Sequence, residues 1–358
     1  MSGPLKVAIV GCGNISTGYA KTMQAHPGKL TLVGAFDTDR SRAEALVKTF
    51  GGKAYTTLDE LLADPGVEAV CNLTIFAAHV PVITAALNAG KHVHTEKPIA
   101  LDAGEAQALV RLAREKNLRL SSAPITFMGE AQQTAWKAIR TGRLGTVRVA
   151  YAEMNWGRPE KWHPNPAPFF EVGAFYDVGV YPLTLLTTIL GPVQRVRAMG
   201  TILRPALTDK YGNAFSVTTP DWMCALLEFE SGTIARLTVN FYIWESKQQQ
   251  GVEFHGDQAS LFLSTPHDFN GVVELRENGT PDWITLPPVR EPYPGVEWAR
   301  GLTELHDALR AGRPQRPTGA HAAHVVEIIQ GVHRANESGE GVTIESRFTS
   351  PEPMEWAL

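Results

Sequence analysis

Cysteine is scarce in this chain of 358 residues: Cys12, Cys71 and Cys224 are few, odd in number and far apart. That excludes a disulfide framework and a zinc knuckle. An excess of one charge is also lacking. The 33 basic and 37 acidic residues leave a formal net charge of −4, so neither nucleic acid nor a membrane is an expected partner. No apolar run approaches membrane-spanning length, and the first, starting at Leu5, meets a glycine loop too soon to be a signal peptide. The expected setting is cytoplasmic. Internal repeats and low-complexity tracts are missing as well. The chain exceeds the size at which one core usually keeps growing, so two domains are expected, 1–125 and 126–358.

What is present begins with Val7-Ala8-Ile9-Val10-Gly11-Cys12-Gly13-Asn14-Ile15-Ser16. An apolar strand that passes into Gly-x-Gly and then a helix seats a pyrophosphate, with Gly11 making the turn and Gly13 admitting the phosphates to the helix N-terminus. Ser16 stands where a third glycine is usual, and Cys12 reads as a small packing residue. A second strand, Leu30–Phe36, ends in Asp37, an acid at the distance that grips an adenosine ribose. Asp37 also reads as the N-cap of the helix beginning near Arg40. An Arg such as Arg40 or Arg42 favours NADP and Asp37 opposes it, so NAD is the preferred cofactor and NADP the alternative.

Up to about residue 125, short apolar runs alternate with helical periods. This predicts a doubly wound parallel sheet of Rossmann type. Strands are predicted at Val67–Leu73, His92–Thr95 and Leu118–Ala123, and helices at Arg40–Phe50, Val80–Ala89 and Ala103–Lys116. Thr57 and Asp102 fit helix N-caps and Gly90 a helix stop. After a helix at Glu130–Arg140 the pattern turns to alternating strands in hairpins around Ser231-Gly232 and Asn278-Gly279, with helices again at Trp298–Ala311 and Ala320–Asn336. The second half is thus an α+β domain on a large, mostly antiparallel open sheet. Its alternating apolar face from Ala235 to Phe241 needs cover, which predicts a homodimer or homotetramer formed through that sheet.

Glu96-Lys97-Pro98 follows the strand Lys91–Thr95 and puts Lys97 at the carboxyl edge of a parallel sheet, where open α/β folds bind ligands. Pro98 holds the lysine at a stiff strand exit; the alternative is a solvated surface lysine. Asp177 and Tyr181, four apart, share one face if their segment is helical, with Gly179 between them leaving room for a ligand. A helix cap at Asp177 and a core tyrosine are the alternative. Together Lys97, Asp177 and Tyr181 suit alcohol oxidation by NAD(P), in which a base takes the hydroxyl proton as hydride leaves the same carbon. Trp162 and His163, in a loop rich in Pro, are candidates to line the substrate pocket, with a surface histidine equally open. His321 and His324 lack an acidic partner and read as a surface or interface pair, His92 and His94 as core, and no metal is expected.

The glycine loop with Asp37, the run Ala89-Gly90-Lys91-His92-Val93 leading to Glu96-Lys97-Pro98, and Asp177-x-Gly179-x-Tyr181 resemble the Gfo/Idh/MocA oxidoreductases over nearly the whole chain. The resemblance implies an NAD(P)-dependent dehydrogenase or reductase acting on a sugar, cyclic polyol or related diol. It makes Lys97 the catalytic or substrate-positioning lysine, Asp177 the substrate-site aspartate and Tyr181 the acid/base, as in the branch that contains glucose-fructose oxidoreductase and dihydrodiol dehydrogenase. The candidate cofactor set is Gly11, Gly13, Asn14, Ile15, Asp37, Arg42, Thr74, His79, Glu96 and Lys97; the substrate set is Lys97, Trp162, His163, Asp177 and Tyr181. Thr74-Ile75-Phe76-Ala77-Ala78-His79 departs from the family in having no proline after the threonine. A glycosidase with tightly bound NAD and a non-catalytic dinucleotide sensor are the competing expectations.

Overall fold

The computed structural model describes residues 3–358, and its first strand, β1 (Leu5–Val10), runs straight into Gly11. There follow α1 (Ser16–Gln24), β2 (Leu30–Phe36), α2 (Arg40–Phe50), β3 (Lys53–Ala54), α3 (Leu58–Ala63), β4 (Ala69–Asn72), α4 (Phe76–Asn88), β5 (His92–Thr95), α5 (Ala103–Glu115) and β6 (Leu120–Ser122). The six strands are parallel in the order β3-β2-β1-β4-β5-β6, the dinucleotide-binding order, which reverses between β1 and β4. Helical cover on both faces explains why β4 and β5 are buried at every residue. The local signals act as expected: Thr57 Oγ1 accepts from Glu60 N at 3.0 Å, Asp102 Oδ1 accepts from Glu105 N at 3.0 Å, and Gly90 ends α4 at φ +76°.

The chain continues through α6 (Glu130–Arg140), β7 (Val147–Asn155), α7 (Pro159–Trp162), α8 (Ala167–Val172), a π-helix (Phe175–Gly179), α9 (Val180–Leu190), β8 (Val193–Thr201), β9 (Ala206–Thr208) and β10 (Ala214–Ser216). Then come β11 (Trp222–Phe229), β12 (Ile234–Asn240), β13 (Gln250–Gly256), β14 (Ala259–Leu263), β15 (Val273–Glu277), β16 (Ile284–Thr285), α10 (Arg300–Ala311), α11 (Gly319–Ser338) and β17 (Val342–Thr343). Nine strands form one sheet, ordered β16-β15-β14-β13-β7-β12-β11-β8-β17 and antiparallel except where β12 pairs with β7. Both predicted hairpins form, with Gly232 at φ +84° and Gly279 at φ +86°.

The apolar face named in the sequence is covered by its own unit, not by a second subunit. Ala235, Leu237 and Val239 are fully buried, and Phe241 packs on Phe170 of α8 with ring centroids 5.3 Å apart. The uncovered apolar side chains lie elsewhere on these strands: Tyr151, Met199, Leu226 and Ile234 are 41%, 68%, 46% and 43% exposed.

Contacts group the chain into two units, residues up to Ile125 with Glu297–Val326, and Thr126–Val296 with Glu327–Leu358. Thus α10, read from the sequence as part of the second half, belongs with the first. Its Leu302 and Leu305 sit fully buried in the cluster that holds Val7, Ile9, Tyr19 and Leu30, each burial contributing roughly 2 kcal/mol. Trp298 lies over Gly18, where an added Cβ would be 2.7 Å from the indole Cδ1. His321 and His324 are 2% and 0% exposed, a buried pair and not a surface one. Among the described residues no helix is long and apolar enough to cross a membrane.

Candidate active site

In the first unit the glycine loop closes against the reversal point of the sheet. Gly11 has φ +92°, and a Cβ there would lie 2.7 Å from the carbonyl carbon and oxygen of Leu73 and 2.8 Å from Thr74 N. Only glycine passes. At Gly13, by contrast, an added Cβ meets nothing within 4 Å, so no contact within the protein requires this glycine and the position is open. Ile15 gives α1 no side-chain cap, and Ser16 Oγ turns back to Gly13 O at 2.7 Å. Ser16 N also donates to Gly13 O at 3.1 Å, and without a side-chain cap the other amides of the first turn suit an anion. This cradle fits a dinucleotide pyrophosphate, with Gly11, Gly13, Asn14 and Ile15 forming it.

Asp37 is bound to this loop. Its Oδ2 accepts from Cys12 N at 2.6 Å and its Oδ1 from Asp39 N at 2.8 Å. The cap of α2 is Asp39, which accepts from Ser41 N at 3.1 Å, so the capping alternative for Asp37 falls. Arg42 pairs with Asp39 at 3.2 Å and Arg40 with Glu44 at 2.7 Å. Burial, and then the charge of Asp37, pushes the Cys12 thiol up to about 12; it stays protonated and is no nucleophile.

Lys97 follows β5 at a cis Lys97–Pro98 peptide, and its amide donates to Glu96 Oε2 at 3.2 Å. The other oxygen of Glu96 accepts from Tyr19 OH at 2.8 Å, so this carboxylate is occupied in building the strand exit. His79 is almost fully buried. Its Nδ1 lies 2.6 Å from Pro98 O and its Nε2 3.0 Å from Thr74 O, which clasps the loop after β4 to the loop after β5. Burial pulls its pKa down against these carbonyls. Thr74 Oγ1 donates to Asn72 Oδ1 at 2.7 Å. Thr74, His79 and Glu96, expected at the cofactor, also build the loops that carry Lys97.

In the second unit Asp177 is 4% exposed and lies inside the π-helix that runs into α9, not at a cap; such turns recur at functional sites. Tyr181 follows in the first turn of α9 and is half-buried. Gly179 has a packing reason: a Cβ there would come within 3.3 Å of Phe175 Cδ1 and 3.4 Å of Val239 Cγ2. Trp162 is 43% exposed, with its ring 5.5 Å from His163, which in turn lies 4.6 Å from Phe169.

Sequence reasoning missed Tyr19, Asn72, Trp156 and His267. Asn72 is fully buried, and its role is to hold Thr74, a matter of loop geometry. His267 stands edge-on to Tyr181 at 5.9 Å and to Trp156 at 5.2 Å; no spacing in the sequence links these three positions.

Comparison with known proteins returns the same architecture. Residues 5–123 match the model described as the oxidoreductase family with an NAD-binding Rossmann fold, and residues 132–262 match the GFO/IDH/MocA C-terminal domain. UDP-N-acetylglucosamine 3-dehydrogenase of Acidithiobacillus ferrooxidans is 27% identical over 317 residues, 87% of this chain and 90% of that protein. Trans-1,2-dihydrobenzene-1,2-diol dehydrogenase of Mus musculus is 29% identical over 214 residues, 57% of this chain and 62% of that one. The crystal structure of an NAD binding oxidoreductase from Klebsiella pneumoniae superimposes with a TM-score of 0.84 at 19% identity, covering 96% of this chain and 100% of that chain. This last likeness shows the fold alone.

Proposed function

Because the chain belongs to the GFO/IDH/MocA oxidoreductases with an NAD-binding Rossmann fold, we propose that it moves a hydride between a nicotinamide cofactor and a secondary alcohol or carbonyl of a sugar, cyclic polyol or related diol. The observation that carries the cofactor half is the open space at Gly13 above the uncapped α1, next to Asp37 held on the Cys12 amide. When bound, the nicotinamide supplies the hydride acceptor or donor.

The chain's own residues do the rest. Tyr181 takes the proton of the reacting hydroxyl or returns it to the carbonyl, Lys97 holds that oxygen and steadies its negative charge, and Asp177 orients the substrate. Trp162 and His163 contribute a pocket wall. Glu96, Thr74 and His79 act by fixing the backbone around Lys97. Asp37 takes the ribose diol and repels a 2′-phosphate, while Arg42 and Arg40 already have carboxylate partners; NAD is therefore the cofactor favoured over NADP. The exposed apolar side chains Tyr151, Met199, Leu226 and Ile234 support self-association through the nine-stranded sheet as a homodimer or homotetramer, and the cytoplasm is the setting this reading assigns.

A screen of sugars and cyclic polyols with NAD and with NADP, read by nicotinamide absorbance, tests this reading. Turnover of at least one of them, faster with NAD, is the expected result. A protein that binds neither cofactor overturns it.

A further inference from the structure

The loop between β14 and β15 carries a side chain for which the chemistry above gives no role. His267 stands edge-on to two half-buried rings, Tyr181 at 5.9 Å and Trp156 at 5.2 Å between centroids. Its ring is held in place. Thr265 Oγ1 lies 2.8 Å from Nδ1 and also accepts the His267 amide at 3.2 Å. The loop is in turn tied to α6: the buried Gln132 donates through Nε2 to the carbonyls of Thr265 and Asp268 at 3.0 and 2.8 Å, and Phe269 O accepts from Ala131 N at 3.1 Å. So much anchoring fixes an imidazole to a geometry that a surface histidine does not need.

With Nδ1 engaged by Thr265, Nε2 is the nitrogen left over, and it is absent from the buried atoms that lack a partner. The ring as a whole stands beside the tyrosine, 5.9 Å between centroids. Burial lowers the pKa of His267, which keeps the ring neutral near pH 7, and a neutral imidazole pairs with a hydroxyl in preference to an anion. Rings 5.9 Å apart put the two polar side chains within the span of one small molecule.

We propose that His267 is a specificity-determining residue whose Nε2 hydrogen-bonds a second hydroxyl of the substrate, next to the one that reacts at Tyr181, so that the preferred substrate is a neutral vicinal diol. This rests on the assignment of Tyr181 to the reacting oxygen. A site built to pair a hydroxyl rejects the analogue that lacks it, because the protein group is then left unpaired.

The test compares kcat/KM with NAD for D-glucose, D-xylose and myo-inositol against their monodeoxy analogues, in the wild-type protein, His267→Leu and His267→Gln. In the wild type, loss of the hydroxyl beside the reacting carbon is expected to lower kcat/KM by about tenfold or more. His267→Leu removes that discrimination through a raised KM for the diol, and His267→Gln, which still offers a donor and an acceptor, retains part of it. NAD affinity, read by protein fluorescence, stays the same in all three and shows that the variants are folded. Discrimination that persists in His267→Leu overturns the proposal while leaving the redox reading intact. If the wild-type protein turns over none of the sugars or the polyol, the redox reading and this proposal fall together.

Discussion

A Cβ placed on Gly11 would lie 2.7 Å from the carbonyl oxygen of Leu73, so the glycine loop is shaped by the end of β4, while a Cβ on Gly13, two residues on, would meet nothing within 4 Å. On the proposed function the two glycines answer to different demands, one to the fold and one to the ligand. Gly11→Ala should therefore lower Tm and weaken NAD binding together, because backbone atoms must shift. Gly13→Ala should leave Tm near the wild-type value and raise the NAD Kd by about tenfold, a methyl group now filling ligand space. Thermal melts with NAD titrations of both variants check this. Equal NAD affinity in wild type and Gly13→Ala would contradict it.

His79 provides a second separation of roles. Its ring bridges Pro98 O and Thr74 O, so it acts on Lys97 through the backbone. His79→Phe should cost about 1–3 kcal/mol of stability and lower kcat by about tenfold through misplacement of Lys97, with NAD affinity little changed. Stopped-flow turnover at saturating NAD, set beside a binding isotherm, measures both. Lost NAD affinity with kcat intact would instead make His79 a direct cofactor ligand.

Stability should depend on pH through two buried rings. Burial lowers the pKa of His94 to about 4 and that of His321 to about 3, from an ordinary 6.5. The unfolded chain thus binds these protons more tightly than the folded one. Their contribution is complete above the unfolded value, and it is lost as pH falls from there towards the folded values, by up to about 1.4 kcal/mol per pH unit for each ring. Melting curves from about pH 8 to about pH 5 should show Tm level at first and then falling. A Tm that rises on acidification would show that the rings are not buried neutral.

The sequence disclosed what neighbouring residues decide. The run from β1 through Gly11 and Gly13 to Asp37, the ends of α2 and α6, the caps at Thr57 and Asp102 and both glycine hairpins depend on local sterics and hydrogen bonding, and they appear as read. What the sequence hid depends on distant chain. The choice between Asp37 and Asp39 as helix cap turned on a hydrogen bond to Cys12, which no local pattern reveals. Return of α10 to the first unit depends on Leu302 and Leu305 fitting the β1 cluster, although an apolar stripe fits many cores. Gly179 has a packing reason as well, against Phe175 and Val239, and those neighbours come from separate stretches of chain. His267 comes beside Tyr181 only once α9 and the β14–β15 loop are folded.

The central claim is that Lys97 and Tyr181 perform redox chemistry at a bound nicotinamide, and one measurement addresses it most directly: steady-state reduction of NAD with the best sugar or polyol, in wild type, Lys97→Met and Tyr181→Phe, with NAD Kd measured on the same samples. The account predicts turnover that falls by about a thousandfold or more in both variants while NAD binding persists. Wild-type turnover in either variant would contradict it.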